Sequence, residues 1–218
     1  WDFDGDGTTD ATGAQASHAF QSAGTYQVNL TVTDDDGAIA STQQTVSVSE
    51  PTSSNVVYRV NTAGSEISVS DEPNWETDSS YLLTNGGVTT HDNQFNVTDS
   101  VPAGTPEQIF VTERWPSSGS TLDYEFSVTS GETYEIRLYF IEQWSPNDEE
   151  GTRIFDVTAE GQTVLNDYDI MTDVGFDNAT TKSFEVTADD GTLDISLSKD
   201  GGSANPFVYG IEIVEKGS

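Results

Sequence analysis

The chain has 218 residues and sets 38 acidic side chains against 7 basic ones, a formal charge of −31 at pH 7. A surface of that sign excludes nucleic acid and anionic membrane as partners, because both would be repelled. Hydrophobic residues still make up 33%, with 10 Phe, 8 Tyr and 4 Trp, so a packed core is expected rather than a disordered acidic tail.

In chain order, the first predicted element is a strand over 24–33, where Tyr26, Val28, Leu30 and Val32 alternate with polar neighbours. Asp34-Asp35-Asp36-Gly37 makes a turn, and a second strand runs through Ala38 to Val48, giving a hairpin with a polar tip. Residues 51–55, containing Pro51 and serines, form a short polar linker between a unit at 1–50 and a second at 56–218.

The second unit reads as strand upon strand: 56–60, 122–128, 133–142, 154–160, 181–187, 192–198 and 208–215. In 133–142 the residues Tyr134, Ile136, Leu138 and Phe140 share one face, while Glu135, Arg137 and Tyr139 point outward. Turns such as Glu160-Gly161 and Asp190-Gly191 separate the strands, and no segment keeps a helical period over three turns. The expectation is an all-β fold, a jelly-roll sandwich.

Trp1-Asp2-Phe3, Gly5-Asp6-Gly7, His18-Ala19-Phe20, Gly24-Thr25-Tyr26 and Val32-Thr33-Asp34 resemble the C-terminal half of a polycystic kidney disease (PKD) repeat. That resemblance implies a partial immunoglobulin-like sandwich. Since such a sandwich needs about seven strands in about 100 residues, the remaining strands are expected from sequence outside this chain or from a neighbouring molecule. An incomplete sheet exposes edges that invite pairing.

Glu113-Arg114-Trp115, Phe140-Ile141-Glu142-Gln143-Trp144, Phe155-Asp156-Val157 and Asn205-Pro206-Phe207 together resemble a malectin-type carbohydrate-binding domain, extending over roughly 57–214. The opening Tyr58-Arg59-Val60-Asn61-Thr62-Ala63-Gly64 is similar to the family's entry strand, with Ala63 where a glycine is usual. The resemblance implies ligand contacts from loops at one end of the sandwich, with aromatics stacking on sugar rings and acids or amides gripping hydroxyl groups. Carried onto this chain, it implicates Trp115, Trp144 and Tyr81 as stacking groups and Asp78, Glu142 and Asn205 as polar groups. Ser145 stands where animal members have a second aromatic, and Ala204 where the family has an acid before Asn-Pro, so their disaccharide specificity does not transfer. The neighbouring Glu113 and Arg114 read as a structural ion pair or strand-end anchor.

Asp2, Asp4, Asp6 and Asp10, with Gly7 among them, resemble the front of a calcium loop, because alternate oxygen ligands around a glycine turn suit a hard cation. Gly13 occupies the place of the closing bidentate Glu, which argues against an EF-hand and leaves simple Asp-Gly turns as the alternative. Asp167, Asp169 and Asp173 share one loop and form a second acidic group, while Asp148-Glu149-Glu150 reads as a solvated loop tip. Asn29, Asn96 and Asn178 each begin a glycosylation acceptor triplet. Only His18 and His91 would serve as bases near neutral pH, and neither adjoins a nucleophile motif, so a noncatalytic role is expected and no cofactor beyond a calcium ion.

No cysteine is present, which rules out disulfides and thiolate metal sites. No apolar run reaches the roughly 18 residues of a membrane span, and Trp1 lies inside a strand-like pattern, so sequence upstream of it is expected. The acid excess, with Lys reduced to three, points to a protein of brine, where screening near 1 M salt shrinks to about 3 Å; an acidic secreted protein is the plainer alternative. The leading functional expectation is a carbohydrate-binding or adhesion segment of a larger secreted or cell-surface protein, with a glycan as partner. The alternatives are a subunit of an extracellular fibre or surface layer built from copies of itself, and an accessory module of a polysaccharide-degrading enzyme.

Overall fold

The computed structural model describes residues 1–18, 20, 24–48, 55–70, 73–117, 121–145 and 149–217. Of the expected linker only Asn55 falls among these, and Asp148 lies outside them. The chain divides into two compact units, Trp1–Ser54 and Asn55–Ser218.

In the first unit β1 (Gly24–Thr33) and β2 (Ile39–Val48) pair antiparallel from Gly24↔Val48 to Thr33↔Ile39. Asp34 fixes the turn, its Oδ1 accepting from Ala38 N at 2.7 Å, while Gly37 takes φ 84°, a left-handed value that favours glycine. Among the described residues Phe3 is the only buried hydrophobic of this unit, and Val32 and Ile39 remain 55% and 72% exposed. What holds it instead is a run of rings: Phe3 stacks on His18 at 4.6 Å, His18 meets Phe20 edge-on at 4.7 Å, and Phe20 stacks on Tyr26 at 4.2 Å.

The second unit contains β3 (Val56–Asn61), β4 (Glu76–Thr77), β5 (Gly86–Thr90), β6 (Asn96–Val97), β7 (Thr112–Pro116), β8 (Thr121–Ser127), β9 (Thr133–Phe140), β10 (Arg153–Ala159), β11 (Gln162–Tyr168), a single helical turn α1 (Ile170–Asp173), β12 (Asn178–Thr187), β13 (Thr192–Gly202) and β14 (Gly210–Lys216). One sheet runs β4-β3-β14-β9-β12-β6, a second β11-β10-β13-β8, and β5-β7 form a separate ribbon. The core lies between the large sheets: Ile136, Leu138 and Phe140 of β9 and Ile211 and Ile213 of β14 join Leu122, Phe126, Phe155, Val157, Ile195 and Leu197 in one buried cluster. Phe140 and Phe155 bridge it, with ring centroids 5.6 Å apart. This is an all-β sandwich.

Every predicted strand of this unit is present with ends shifted by a few residues, whereas β4, β5, β6, β7 and β11 lack an apolar alternation that would announce them. One face assignment is corrected. Tyr139, expected to point outward, is fully buried: Trp75 meets it edge-on at 5.4 Å and Phe110 packs at 6.1 Å, so loop segments cover the outer side of β9. Its hydroxyl donates to Glu212 Oε2 at 3.2 Å, part of a network in which Glu212 also accepts from Arg59 at 2.9 Å and Arg137 at 2.8 Å. Ala63 sits at φ 60°, which explains why a glycine suits that position.

Candidate functional site

Alternation along β7 sends Glu113 and Trp115 to one side and Arg114 to the other. The expected pairing of Glu113 with Arg114 is therefore not made. Arg114 instead forms a bidentate ion pair with Asp78, at 2.7 Å from Nε and 2.8 Å from Nη2, and Tyr124 Oη lies 3.4 Å from the same carboxylate. Asp78 is fully buried in a single 3-10 turn, so it anchors β7 and is not an open polar group. Tyr81, in the same turn region, stacks on Phe126 at 4.9 Å and donates to Glu76 Oε2 at 2.7 Å. Burial, followed by the Glu76 hydrogen bond, pushes its phenol well above the ordinary range.

On the other side of β7, Trp115 and Glu113 line a cavity of about 380 Å³ together with Thr89, Trp144, Arg153, Ser203, Ala204 and Asn205. Five stretches of chain meet here. Thr89 sits opposite Glu113 in the β5-β7 register, and its hydroxyl accepts the indole N–H of Trp115 at 3.0 Å. Gly86 and Gly87 make room, since a Cβ on Gly87 would come within 2.3 Å of the Trp115 ring and one on Gly86 within 2.2 Å of Arg114 Cδ. The backbone of Arg114 bonds Val208 in both directions, at 3.0 and 3.1 Å, which ties the Ser203–Asn205 stretch to β7.

Arg153 begins β10 on the same inward face as Phe155, Val157 and Ala159. Its Nε donates to Glu142 Oε2 at 2.8 Å, Nη1 donates to the Asn205 carbonyl, and the guanidinium lies 4.1 Å from the centre of the Phe207 ring. Glu142 is buried below the cavity wall. Its Oε1 accepts from Trp144 N at 3.1 Å, so it positions the tryptophan and the arginine rather than facing a ligand. Burial raises the Glu142 carboxyl above its ordinary 4.5, against the pull of Arg153. Trp144 keeps 49% of its surface exposed, and the side-chain amide of Asn205 donates to the Pro116 carbonyl at 3.2 Å.

Of the six residues expected to bind sugar, the structure brings Trp115, Trp144 and Asn205 to this cavity, sets Glu142 beneath it, and puts Asp78 and Tyr81 outside its wall. Arg153, Thr89 and Glu113 were not anticipated there. A base in phase with three core positions of β10 was the available signal for Arg153, and Gly86-Gly87 the signal for the seat of Trp115.

The other acidic groups divide their work. Asp2, Asp4 and Asp10 gather carboxylate oxygens within 4.8 Å of one another, without Asp6. These side chains also accept loop N–H groups: Asp2 from Gly5 at 2.7 Å, Asp10 from Phe3 at 2.6 Å, Asp6 from Thr8 at 2.6 Å. Asp167, Asp169 and Asp173 do not act together. Asp167 clusters with Asp156 and Asp200, Asp169 caps α1 through Met171 N at 3.0 Å, and Asp173 pairs with Lys182 at 2.7 Å. Among the acceptor asparagines, Asn96 is exposed, Asn29 bonds Asp2 and Gln43, and Asn178 donates to the carbonyls of Val174 and Phe176.

The malectin domain profile matches residues 56–211. The chain belongs to the malectin-domain family. A PKD domain profile matches residues 1–49. The malectin-family unit is similar to the receptor-like protein kinase FERONIA of Arabidopsis thaliana, 28% identical over 154 residues covering 64% of this chain and 17% of that protein. It is also similar to the probable receptor-like protein kinase At1g30570 of the same plant, 29% identical over 178 residues covering 72% of this chain and 20% of that one. The chain thus spans a fifth or less of these relatives. Among solved structures, the plant receptor-like kinase FER superposes with a TM-score of 0.69 at 22% identity, covering 84% of this chain and 58% of that one. A complex of the plant peptide RALF23 with FER and LLG2 gives 0.68 at 21% identity, covering 81% and 58%. These likenesses establish the fold.

Proposed function

We propose that this chain is a noncatalytic, extracellular carbohydrate-binding segment of a larger protein, and that the cavity between Trp115 and Trp144 receives the sugar. The observation that carries this reading is the convergence of two indoles, one of them half exposed, with Arg153 and Asn205 around one hollow. Sugar rings offer apolar C–H faces to flat aromatics and hydroxyls to fixed polar groups. The fold shared with the plant receptor-like kinase FER supports a binding role outside the cell, and the PKD-like unit serves as a spacer. Among the described residues no helix is long and apolar enough to cross a membrane. The test is a glycan array with wild type and Trp144→Ala: binding that disappears in the variant supports the reading, and equal binding by both overturns it.

A brine habitat is part of the proposal. Six of the seven basic side chains already sit in ion pairs with carboxylates, the seventh, Lys199, bonding the Ser203 carbonyl, so the surplus acids have no internal neutralisation. Calcium at Asp2, Asp4 and Asp10 is a further proposal, motivated by their spacing. Assembly into a fibre is the second reading, favoured by the open apolar positions of the β1-β2 hairpin. Salt-dependent polymerisation without glycan binding would select it.

A further inference from the structure

We propose that Asn96 is the N-glycosylated residue of the second unit, and that Asn178, directly across from it, is a structural asparagine that stays unmodified. The modification rests on the extracellular reading above for its sugar donor and is independent of the cavity. Asn96-Val97-Thr98 and Asn178-Ala179-Thr180 are both acceptor triplets. Pairing lays them side by side: β6 runs parallel to β12, with Asn178↔Asn96 and Ala179↔Val97 in register. Two triplets of the same pattern cannot be ranked from the sequence, but the sheet ranks them. β6 is its last strand, whereas β12 lies between β9 and β6. Asn96 and Val97 are exposed, while Ala179 and Thr180 keep 0% and 1% of their surface.

The amide hydrogens separate the two further. An asparagine side chain carries two N–H groups, and N-glycosylation consumes one of them. Nδ2 forms a bond to the anomeric carbon of an oligosaccharide carried on a lipid phosphate, the bond from that carbon to the phosphate oxygen breaks, and Nδ2 gives up a proton. Asn178 has both N–H groups in use, donating to the carbonyls of Val174 at 2.9 Å and Phe176 at 3.0 Å. These bonds pin the turn between α1 and β12, where Gly175 takes φ 78°. A glycan on Asn178 would remove one of them and leave a carbonyl short of its donor. Asn96 donates once, to Asn178 Oδ1 at 3.1 Å, and its other N–H has no partner among the described residues. It can exchange a hydrogen for a sugar at no cost to the turn.

The test routes the full chain, behind a signal peptide, through the secretory pathway of a eukaryotic cell and maps the occupied asparagines of the secreted protein by glycopeptide mass spectrometry. Asn96 is expected to carry the glycan and Asn178 to emerge unmodified. Asn96→Gln should abolish the glycan at that position without moving it to Asn178. A glycan on Asn178 of the secreted protein, or a bare Asn96, would overturn the assignment while leaving the extracellular and saccharide readings standing. A second measurement needs neither glycan nor secretion. In chemical denaturation of the unglycosylated chain, Asn178→Asp, which removes both N–H groups and keeps an oxygen for Asn96, should lower the unfolding midpoint, whereas Asn96→Ala should leave it in place. Equal midpoints for wild type and Asn178→Asp would overturn the structural role of Asn178.

Discussion

The two units are built from the same antiparallel strands, yet they are held by different means. In the second, both sheets turn alternating apolar residues into one shared interior, where Phe155 packs at 5.6 Å from Phe140 and 5.4 Å from Tyr168. In the first, a single hairpin, a run of stacked rings and aspartate-capped turns do the work, with Phe3 as the one buried hydrophobic among the described residues. Strand pattern alone does not make a core: a second sheet must face the first, because a lone two-stranded hairpin buries too little to be stable by itself.

The comparison is broken hardest at Phe155. Phe155→Ala should remove about 3–5 kcal/mol of stability in chemical denaturation, whereas Val32→Ala, at a side chain 55% exposed, should stay within about 0.5 kcal/mol. Asp78→Ala comes next: it strands Arg114 beside a buried tyrosine, and a loss of about 3 kcal/mol is expected from breaking a buried pair, together with weaker ligand binding because Arg114 anchors the strand that carries Trp115.

Salt sharpens the contrast more gently. Raising KCl from about 0.1 M to about 1 M shortens the screening length from about 10 Å to about 3 Å. Residues 1–50 have 8 acids and neither Lys nor Arg, so amide-exchange protection in β1-β2 should rise more than in β9. Equal gains would count against charge repulsion as the cause.

The smallest effect concerns Glu135. Its hydrogen bond from Arg137 at 2.7 Å, and then one from Lys216, hold its carboxyl below the ordinary 4.5. A depressed folded-state value contributes stability above about pH 4.5 that disappears as pH falls through the folded value. Glu135→Gln should therefore cost under about 1 kcal/mol at pH 7, with the gap between wild-type and variant unfolding midpoints closing in acid.

The all-β class, the hairpin and the strands with clear period-two alternation were legible in the chain, because alternation is a local consequence of the pleat. β5 and β7 were not, since Gly86-Gly87 and Thr-Glu-Arg-Trp-Pro have no apolar period and become strands by pairing with each other. Trp115, Trp144 and Asn205 were readable as candidates, but no local rule relates residues so far apart.

Sequence by itself therefore determined the charge, the strand-rich character and the supply of aromatics and acids. Tertiary structure alone decided which of them meet. Arg114, on one side of β7, drew Asp78 into a buried pair, register set Thr89 opposite Glu113, and Arg153 fixed Glu142 under the wall. The physical reason is that a strand dictates only which way each side chain points, while partners are assigned by the sheets and loops that come to lie across from it.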